Sequence, residues 1–433
     1  MSPKHPCMHT ASALLVFFAA PAFASTQFDY TWQVGIEHSD DINLSPIDPV
    51  SQNVLLPQFA FGLVQEGTDV QARASGLVQY RDYLGGAFEN ELRGNLSGLL
   101  NWHALPGRLD MTAEDFLSVQ PVNVYASNAP SNQQQTNVFS VGPTLSFMLG
   151  PTVHGQAELR YINSTAQKTK DFNSDRATGA LRAIKDLNAT DKISGNIEMQ
   201  SIRFTDDGAG PNYRLYNVYG RYQSQLSQLD IDAAMGWSQL DFSGNLPGQS
   251  GLFARGLVNW HATASSTFGL GASRQYSDAT GDLMVDPRQV GAPVTSILTG
   301  NVVVNSQVYL ERRFDASYAY AGPLLTARIA PFYRNLDYQN DPGQNLNGQG
   351  GTANIDYRLR PLWTLSFLLG GESRHYSAID RRDRDLSYGL AFNDQLTQHW
   401  SWSVNLTRNQ RRSNIALVGY SENVVFFNLA WRR

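Results

Sequence analysis

The sequence predicts an all-β fold: a transmembrane antiparallel up-and-down β-barrel of about 18–20 strands. Three observations carry this prediction. Many short segments alternate apolar and polar residues, the chain is poor in charge, and short and long connections take turns along it. Of 433 residues, 42% are hydrophobic and only 16% charged, with a formal net charge of −5. Soluble globular domains carry about 25% charged residues. A membrane helix needs roughly 18 or more consecutive apolar residues, and the sequence holds no such run. A membrane barrel faces lipid with every second residue only, so its mean hydropathy stays polar.

The first 24 residues read as a secretory signal. Lys4 supplies the positive start, Ala11 to Ala20 the apolar stretch, and Ala22-Phe23-Ala24 a small-residue cleavage site. The barrel is therefore expected to occupy residues 25–433. The only cysteine, Cys7, lies in the signal, which leaves the mature chain without thiol chemistry. After the signal only Lys168, Lys170, Lys185 and Lys192 remain, and no basic-aromatic patch of the nucleic-acid-binding kind is present.

The first mature segment sets the pattern. Phe28, Tyr30, Trp32, Val34 and Ile36 alternate with Asp29, Thr31, Gln33, Gly35 and Glu37, which places the apolar set on one face of a strand. The same period recurs at Val70–Tyr80, from Phe88 through Trp102, at Leu229–Trp237, at Trp363–Leu369 and at Val425–Trp431. Leu109–Leu117 and Arg176–Lys185 alternate poorly. Arg312 falls on the lipid parity, where an arginine at mid-bilayer costs about 2–4 kcal/mol, so a register-shifting bulge is expected there.

Short connections fall near Gln65–Thr68, Ala104–Gly107, Gly150–Thr152, Ser227–Gln228, Thr263–Ser265, Ala321–Pro323 and Arg360–Leu362. Longer polar ones fall near Ser39–Gln52, Gln120–Gln135, Asp241–Ser250, Ser277–Gly300 and Tyr338–Gly350. Outer-membrane barrels have short periplasmic turns and long extracellular loops. Starting the first strand in the periplasm puts every short connection on the periplasmic side. Trp32, Trp102, Trp260, Trp363, Trp400 and Trp431 then lie near periplasmic strand ends on the outward parity, where amphipathic rings settle at lipid headgroups.

The segment Ser39–Pro46 carries Asp40-Asp41-Ile42-Asn43-Leu44 directly after that first aromatic strand. It resembles the opening of the outer-membrane β-barrel porins encoded beside exopolysaccharide and exosortase (PEP-CTERM) gene clusters, with Asp41 where asparagine is usual. The resemblance implies a role in exporting a surface polysaccharide. Barrels of this kind typically end on an aromatic residue that the barrel-assembly machinery reads; this chain ends Trp431-Arg432-Arg433.

Barrels of this width leave an aqueous interior unless something plugs it. The inward parity carries Arg73, Glu89, Glu91, Arg93, Glu158, Arg160, Arg221, Asp230, Asp232, Arg255, Arg328, Asp356, Arg358, Glu372 and Arg374. These residues either line a selective pore or simply pair across neighbouring strands and keep the lumen wet. Both signs are mixed, which predicts weak ion selectivity. The long loops at Gln120–Gln135, Ser277–Gly300 and Tyr338–Gly350 are candidate constrictions or plain surface loops. Asp40, Asp41 and Asp48, and Asp380, Asp383 and Asp385, are acidic spots without EF-hand spacing, and no metal or other cofactor is expected.

Asn101-Trp102-His103-Ala104 and Asn259-Trp260-His261-Ala262 repeat one tetrapeptide at equivalent strand ends, which points to an interfacial role rather than a single catalytic centre. No histidine stands in a recognisable nucleophile motif. The expectation is a non-enzymatic outer-membrane channel with lipid, the assembly machinery and a polar solute such as a polysaccharide as partners. A scaffolding barrel with a loop-closed lumen and a barrel lipid hydrolase are the alternatives. Oligomeric state stays open.

Overall fold

A computed structural model describes residues 25–244, 246–284, 290 and 300–433. The expected signal segment, with Cys7, lies outside the described residues, as does most of the stretch from 285 to 299. The chain forms twenty strands. They are β1 (Ser25–Ser39), β2 (Gln52–Glu66), β3 (Val70–Tyr83), β4 (Glu91–Leu105), β5 (Leu109–Pro121), β6 (Gln133–Met148) and β7 (Val153–Ala166). Next come β8 (Ser174–Asp186), β9 (Asp191–Phe204), β10 (Tyr213–Gln225), β11 (Leu229–Phe242), β12 (Gln249–Thr263) and β13 (Ser266–Asp278). A short helix, α1 (Ala279–Leu283), follows. The remaining strands are β14 (Val308–Ala321), β15 (Leu325–Tyr338), β16 (Leu346–Arg360), β17 (Trp363–Tyr376), β18 (Arg381–Gln395), β19 (Trp400–Ser413) and β20 (Tyr420–Arg432).

Each strand pairs antiparallel with its neighbours in sequence, and β1 closes on β20 from Thr31 opposite Arg432 to Ser39 opposite Val424. Closure removes the sheet edge that water would otherwise have to satisfy. Connections at one end are two to four residues long; those at the other run from four to twenty-nine. All seven short connections expected from the sequence lie at the turn end.

Register fixes the two faces. On β18, Leu386, Tyr388, Leu390 and Phe392 point outward, and Asp383, Asp385, Ser387 and Asn393 inward; β19 turns Trp400, Trp402, Val404 and Leu406 outward. The outward tryptophans gather at the turn end, except Trp237, which lies farther along β11 toward the loop end. Trp102 stands opposite Val70, the first residue of β3, and Trp260 opposite Leu229, the first of β11. Trp32 pairs with Trp431, which in turn faces Trp400. Aromatic neighbours join them: Trp32 lies 4.6 Å from Phe59, and Trp260 stacks on Phe268 at 5.5 Å. Trp402, overlooked in the sequence although it shares the parity of Trp400, sits 5.5 Å from Phe392.

Three expectations need correction. Glu89 lies in the exposed connection before β4, so it lines no wall. Arg312 keeps the outward parity without a bulge, since β14 pairs in unbroken register with β13 and β15 on both sides of it. It sits near the loop end of its strand, where Asp337 at 3.0 Å and Asn335 at 2.9 Å take its guanidinium outside the hydrocarbon. The repeated tetrapeptides turn only their tryptophans outward; His103 and His261 face the lumen. In both copies the register shifts just after the histidine, between His103 and Leu105 and between His261 and Thr263. The repeat therefore encodes a bulge that ends a strand at the turn, and Ala104 and Ala262 are its extra residues.

Pro143 supplies no N–H to the ladder, and pairing between β6 and β7 lapses at Gly142–Pro143. The Arg160 side chain fills the gap, donating from Nη1 to the carbonyls of Gly142 and Pro143, both at 3.0 Å. A Cβ at Gly142 would collide with the Leu159 carbonyl, so the close approach requires glycine.

Candidate functional site

The inward face is a wall of charged pairs. Arg182 bridges Glu158 at 2.7 Å and Glu198 at 3.5 Å, and the Tyr219 hydroxyl donates to Glu198 at 2.7 Å. Arg221 grips Asp232 through Nε at 2.7 Å. On the opposite wall Arg334 donates twice to Glu372, at 3.0 and 2.7 Å, while Arg374 and Arg411 share Asp385. Near the loop end Arg81 reaches Glu37 at 2.6 Å, and Tyr83 joins Glu91 at 2.8 Å with Arg93 on the same carboxylate. At the turn end His261 contacts Asp230 at 3.0 Å, His103 contacts Asp110 at 2.6 Å and Arg73 contacts Glu66 at 3.3 Å. Arg255 lies over the Phe253 ring at 5.6 Å.

The structure thus places fourteen of the fifteen sequence candidates on the inner parity, Glu89 excepted. Pairing reached further than the candidate set: Glu37, Arg81, Arg182, Glu198, Arg334, Asp385 and Arg411 share the parity of the residues singled out, and that parity was the available signal. Arg328 and Arg358, like Arg255, differ from the other arginines of the set. Among the described residues neither has a carboxylate in ion-pair range, and Asp356 between them accepts only from the Thr326 hydroxyl at 3.2 Å.

The mouth at the loop end is narrowed from two sides. First, the ladder between β12 and β13 runs from the turn end only as far as Ala254 opposite Arg274. Beyond it β13 and β14 lean into the barrel. Tyr276, Val308 and Leu310, all on the outward parity of their strands, pack against Ile202, Tyr213, Leu215 and Leu240 on the inner faces of β9 to β11. The helix α1 continues inward. Ala279, Leu283 and Val304 form one buried cluster with Val138, Ile162 and Phe172. An ion pair fastens this insertion to the far wall: Arg176 of β8 donates to Asp278 and Thr280, each at 2.5 Å. Asp278 also accepts from the Tyr213 hydroxyl and, as the N-cap of α1, from the Gly281 N–H at 3.0 Å.

Second, the β5–β6 loop crosses to the opposite wall. The carbonyls of Tyr125 and Ala126 accept from Arg381 and Arg411, each at 2.6 Å. The Tyr125 ring packs 5.0 Å from Tyr376; burial there, with Tyr376 and Asp341 adding to it, pushes its phenol above the ordinary value and keeps it neutral. The loop at residues 339–345 joins in through Gln344, which accepts from Asn305 at 2.7 Å. Contacts between strands this far apart in the sheet are possible only through the lumen, which settles the inward face.

The acidic spots are spent locally. Asp40 latches the β1–β20 seam: burial opposes its ionisation, but the backbone N–H and side-chain amide of Asn423 donate to it at 2.7 and 2.6 Å and hold its carboxyl below the usual range. Burial pushes the Asp41 carboxyl up. Asp383 pairs with Arg381 at 2.7 Å, and Asp380 lies 3.4 Å from both His375 and Arg382.

Neither a family model nor a curated protein matches this sequence. Solved structures do. The ferric enterobactin receptor PfeA of Pseudomonas aeruginosa, in complex with BCV-L6, superposes with a TM-score of 0.50 at 11% identity, covering 94% of this chain and 82% of that one. The FrpB iron transporter of Neisseria meningitidis gives 0.45 at 10% identity, over 93% and 82%. OccAB4 of Acinetobacter baumannii gives 0.38 at 10%, over 94% and 98%. At these identities the likeness is one of fold, and the chain has the closed architecture of outer-membrane barrels.

Proposed function

We propose that this chain is an outer-membrane channel for polar solutes, narrowed at its extracellular mouth. The observation that carries the reading is a closed cylinder, apolar outside and lined inside largely by paired charges, whose loop end is crossed by inserted segments. Arginine and carboxylate groups fixed on a wall orient water, ions and sugar hydroxyls by directional hydrogen bonds. The export of a surface polysaccharide rests on the resemblance at Asp40–Leu44 and on this lining. His103, His154 and His261 serve as partners of the wall carboxylates Asp110, Asp186 and Asp230, and we read the chain as non-enzymatic.

Refolded protein in planar bilayers under a salt gradient is expected to give discrete conductance steps with a reversal potential near zero, because the wall mixes charges of both signs and most of them are paired. Strong preference for one sign would contradict that balance. Silence in a folded, inserted protein would favour a scaffolding barrel, a reading that the crossed mouth supports. Soluble polysaccharide added at the turn end is expected to interrupt the current; uninterrupted current discards the polysaccharide.

The lipid-facing parity has its own test. Leu390→Arg is expected to destabilise the barrel by about 2–4 kcal/mol in urea titrations, as charge on a lipid face does. Asn393→Arg, on the inner parity of the same strand, is expected to leave stability within about 1 kcal/mol. Equal effects would remove the bilayer from the account.

A further inference from the structure

Above the apolar band the outward parity turns polar toward the loop end, and arginines recur there. Three of them face an acid, and a fourth, Arg274, donates to the Leu252 carbonyl. Arg203 stands opposite Asp175, Arg214 opposite Asp241, and Arg312 is paired with Asp337. On β18 and β19 one pair has neither kind of partner. Arg384 stands directly opposite Arg412, both exposed, and among the described residues neither has a hydrogen bond or a carboxylate partner. Arg408 lies on the same face of β19, where the neutral amides of Asn423 at 3.2 Å and Gln410 at 2.9 Å accept from its guanidinium and no carboxylate pairs with it among the described residues. Arg382, next on the outward face of β18, has the exposed Asp380 at 3.4 Å.

Like charges directly across a strand pair repel, so Arg384 and Arg412 face each other at a cost that no carboxylate among the described residues offsets. The groups immediately below explain where a partner would come from. Leu386, Leu390 and Leu406 run down the same face into the hydrocarbon band. An occupant that satisfies both levels carries phosphate at the height of Arg384 and Arg412 and acyl chains beneath. Guanidinium forks match phosphate oxygens two at a time, and basic clusters beside the apolar band of a membrane protein recognise anionic lipid.

We propose that Arg384 and Arg412, with Arg408 and Arg382 beside them, form a binding site on the outer wall for the phosphate groups of an acylated, phosphorylated glycolipid of the extracellular leaflet. The proposal rests on the reading of the chain as a membrane-spanning barrel. In the full barrel the two central arginines hold one phosphate between them and remove their mutual repulsion.

The test uses the folded full-length barrel in neutral detergent and its Arg384→Gln/Arg412→Gln variant. Binding of bisphosphorylated lipid A, dephosphorylated lipid A and inorganic phosphate is read by native mass spectrometry and by thermal shift. Wild type is expected to hold bisphosphorylated lipid A roughly tenfold more tightly than the variant, with no difference between them for the dephosphorylated form. Inorganic phosphate at millimolar concentration is expected to protect neither. Equal binding of the phosphorylated lipid by both proteins overturns the site, and equal protection of wild type by inorganic phosphate overturns its assignment to a lipid. Insertion into neutral phosphatidylcholine vesicles is measured in parallel. A wild type that inserts but does not discriminate loses this inference alone, whereas one that fails to insert loses the membrane reading as well.

Discussion

Replacing Arg176 by alanine is expected to cost about 3–5 kcal/mol of stability, the loss that follows when one partner of a buried ion pair is removed. The Arg176 side chain is 2% exposed and that of Asp278 8%. With the guanidinium gone, Asp278 keeps the Tyr213 hydroxyl and the Gly281 N–H, but its charge is left in a dry site. Thr280 and Ser174 lose a donor as well. The double variant Arg176→Met/Asp278→Asn removes both charges together and is expected to recover most of the loss, because a buried pair exchanged for neutral groups of similar volume is often close to neutral in stability. Urea unfolding of the two variants in the same detergent checks both statements. A single-variant loss below 1 kcal/mol would mean that the insertion stands on its apolar contacts alone.

The consequence for function lies in what Arg176 fastens. It belongs to β8, whereas Asp278 and Thr280 open the segment that leaves the wall after β13. Without this clasp the inward lean depends on the packing of Tyr276, Val308 and Leu310 against β9 to β11. Amide exchange in Ser277–Leu283 is therefore expected to quicken in the single variant while β1 to β4 remain protected.

None of this insertion was legible from alternation. Period two tells which face of a strand a side chain occupies, and it served well for strands such as Phe28–Ile36 and Trp363–Leu369. It carries no information on a strand that leaves the wall. Tyr276, Val308 and Leu310 hold the lipid parity and yet are buried inside, because β13 has parted from β12. The poorly alternating segments stay in the wall but mix residue types on its two faces. β5 turns Phe116 inward and Asp115 outward, where Asn137 donates to it at 2.7 Å, and β8 turns Ala180 and Ile184 inward. The candidate wall was legible in kind but not in pairing, since which carboxylate meets which guanidinium depends on a register that sequence spacing leaves free. His103 and His261 were misread for the opposite reason: their tryptophan neighbours do lie at the interface, and one residue along a strand is a change of face.

The second large effect concerns the β5–β6 loop. Arg381 and Arg411 are almost fully buried, at 6% and 2% side-chain exposure, and each spends one N–H on a loop carbonyl, that of Tyr125 or of Ala126. Their carboxylate partners Asp383 and Asp385 hold the forks in place, so the loop is tied to a rigid anchor on β18 and β19. Arg381→Lys/Arg411→Lys keeps both charges but loses the planar fork that reaches carboxylate and carbonyl together. In planar bilayers this variant is expected to at least roughly double the mean single-channel conductance, as a constriction formed by a tethered loop gives way to a mobile one. Its stability should fall far less than that of the alanine pair, because no carboxylate is stranded. Unchanged conductance in a folded Lys/Lys variant would place the limiting constriction elsewhere, at the inward-leaning hairpin of β13 and β14. The Arg176→Ala variant would then be the one whose conductance rises.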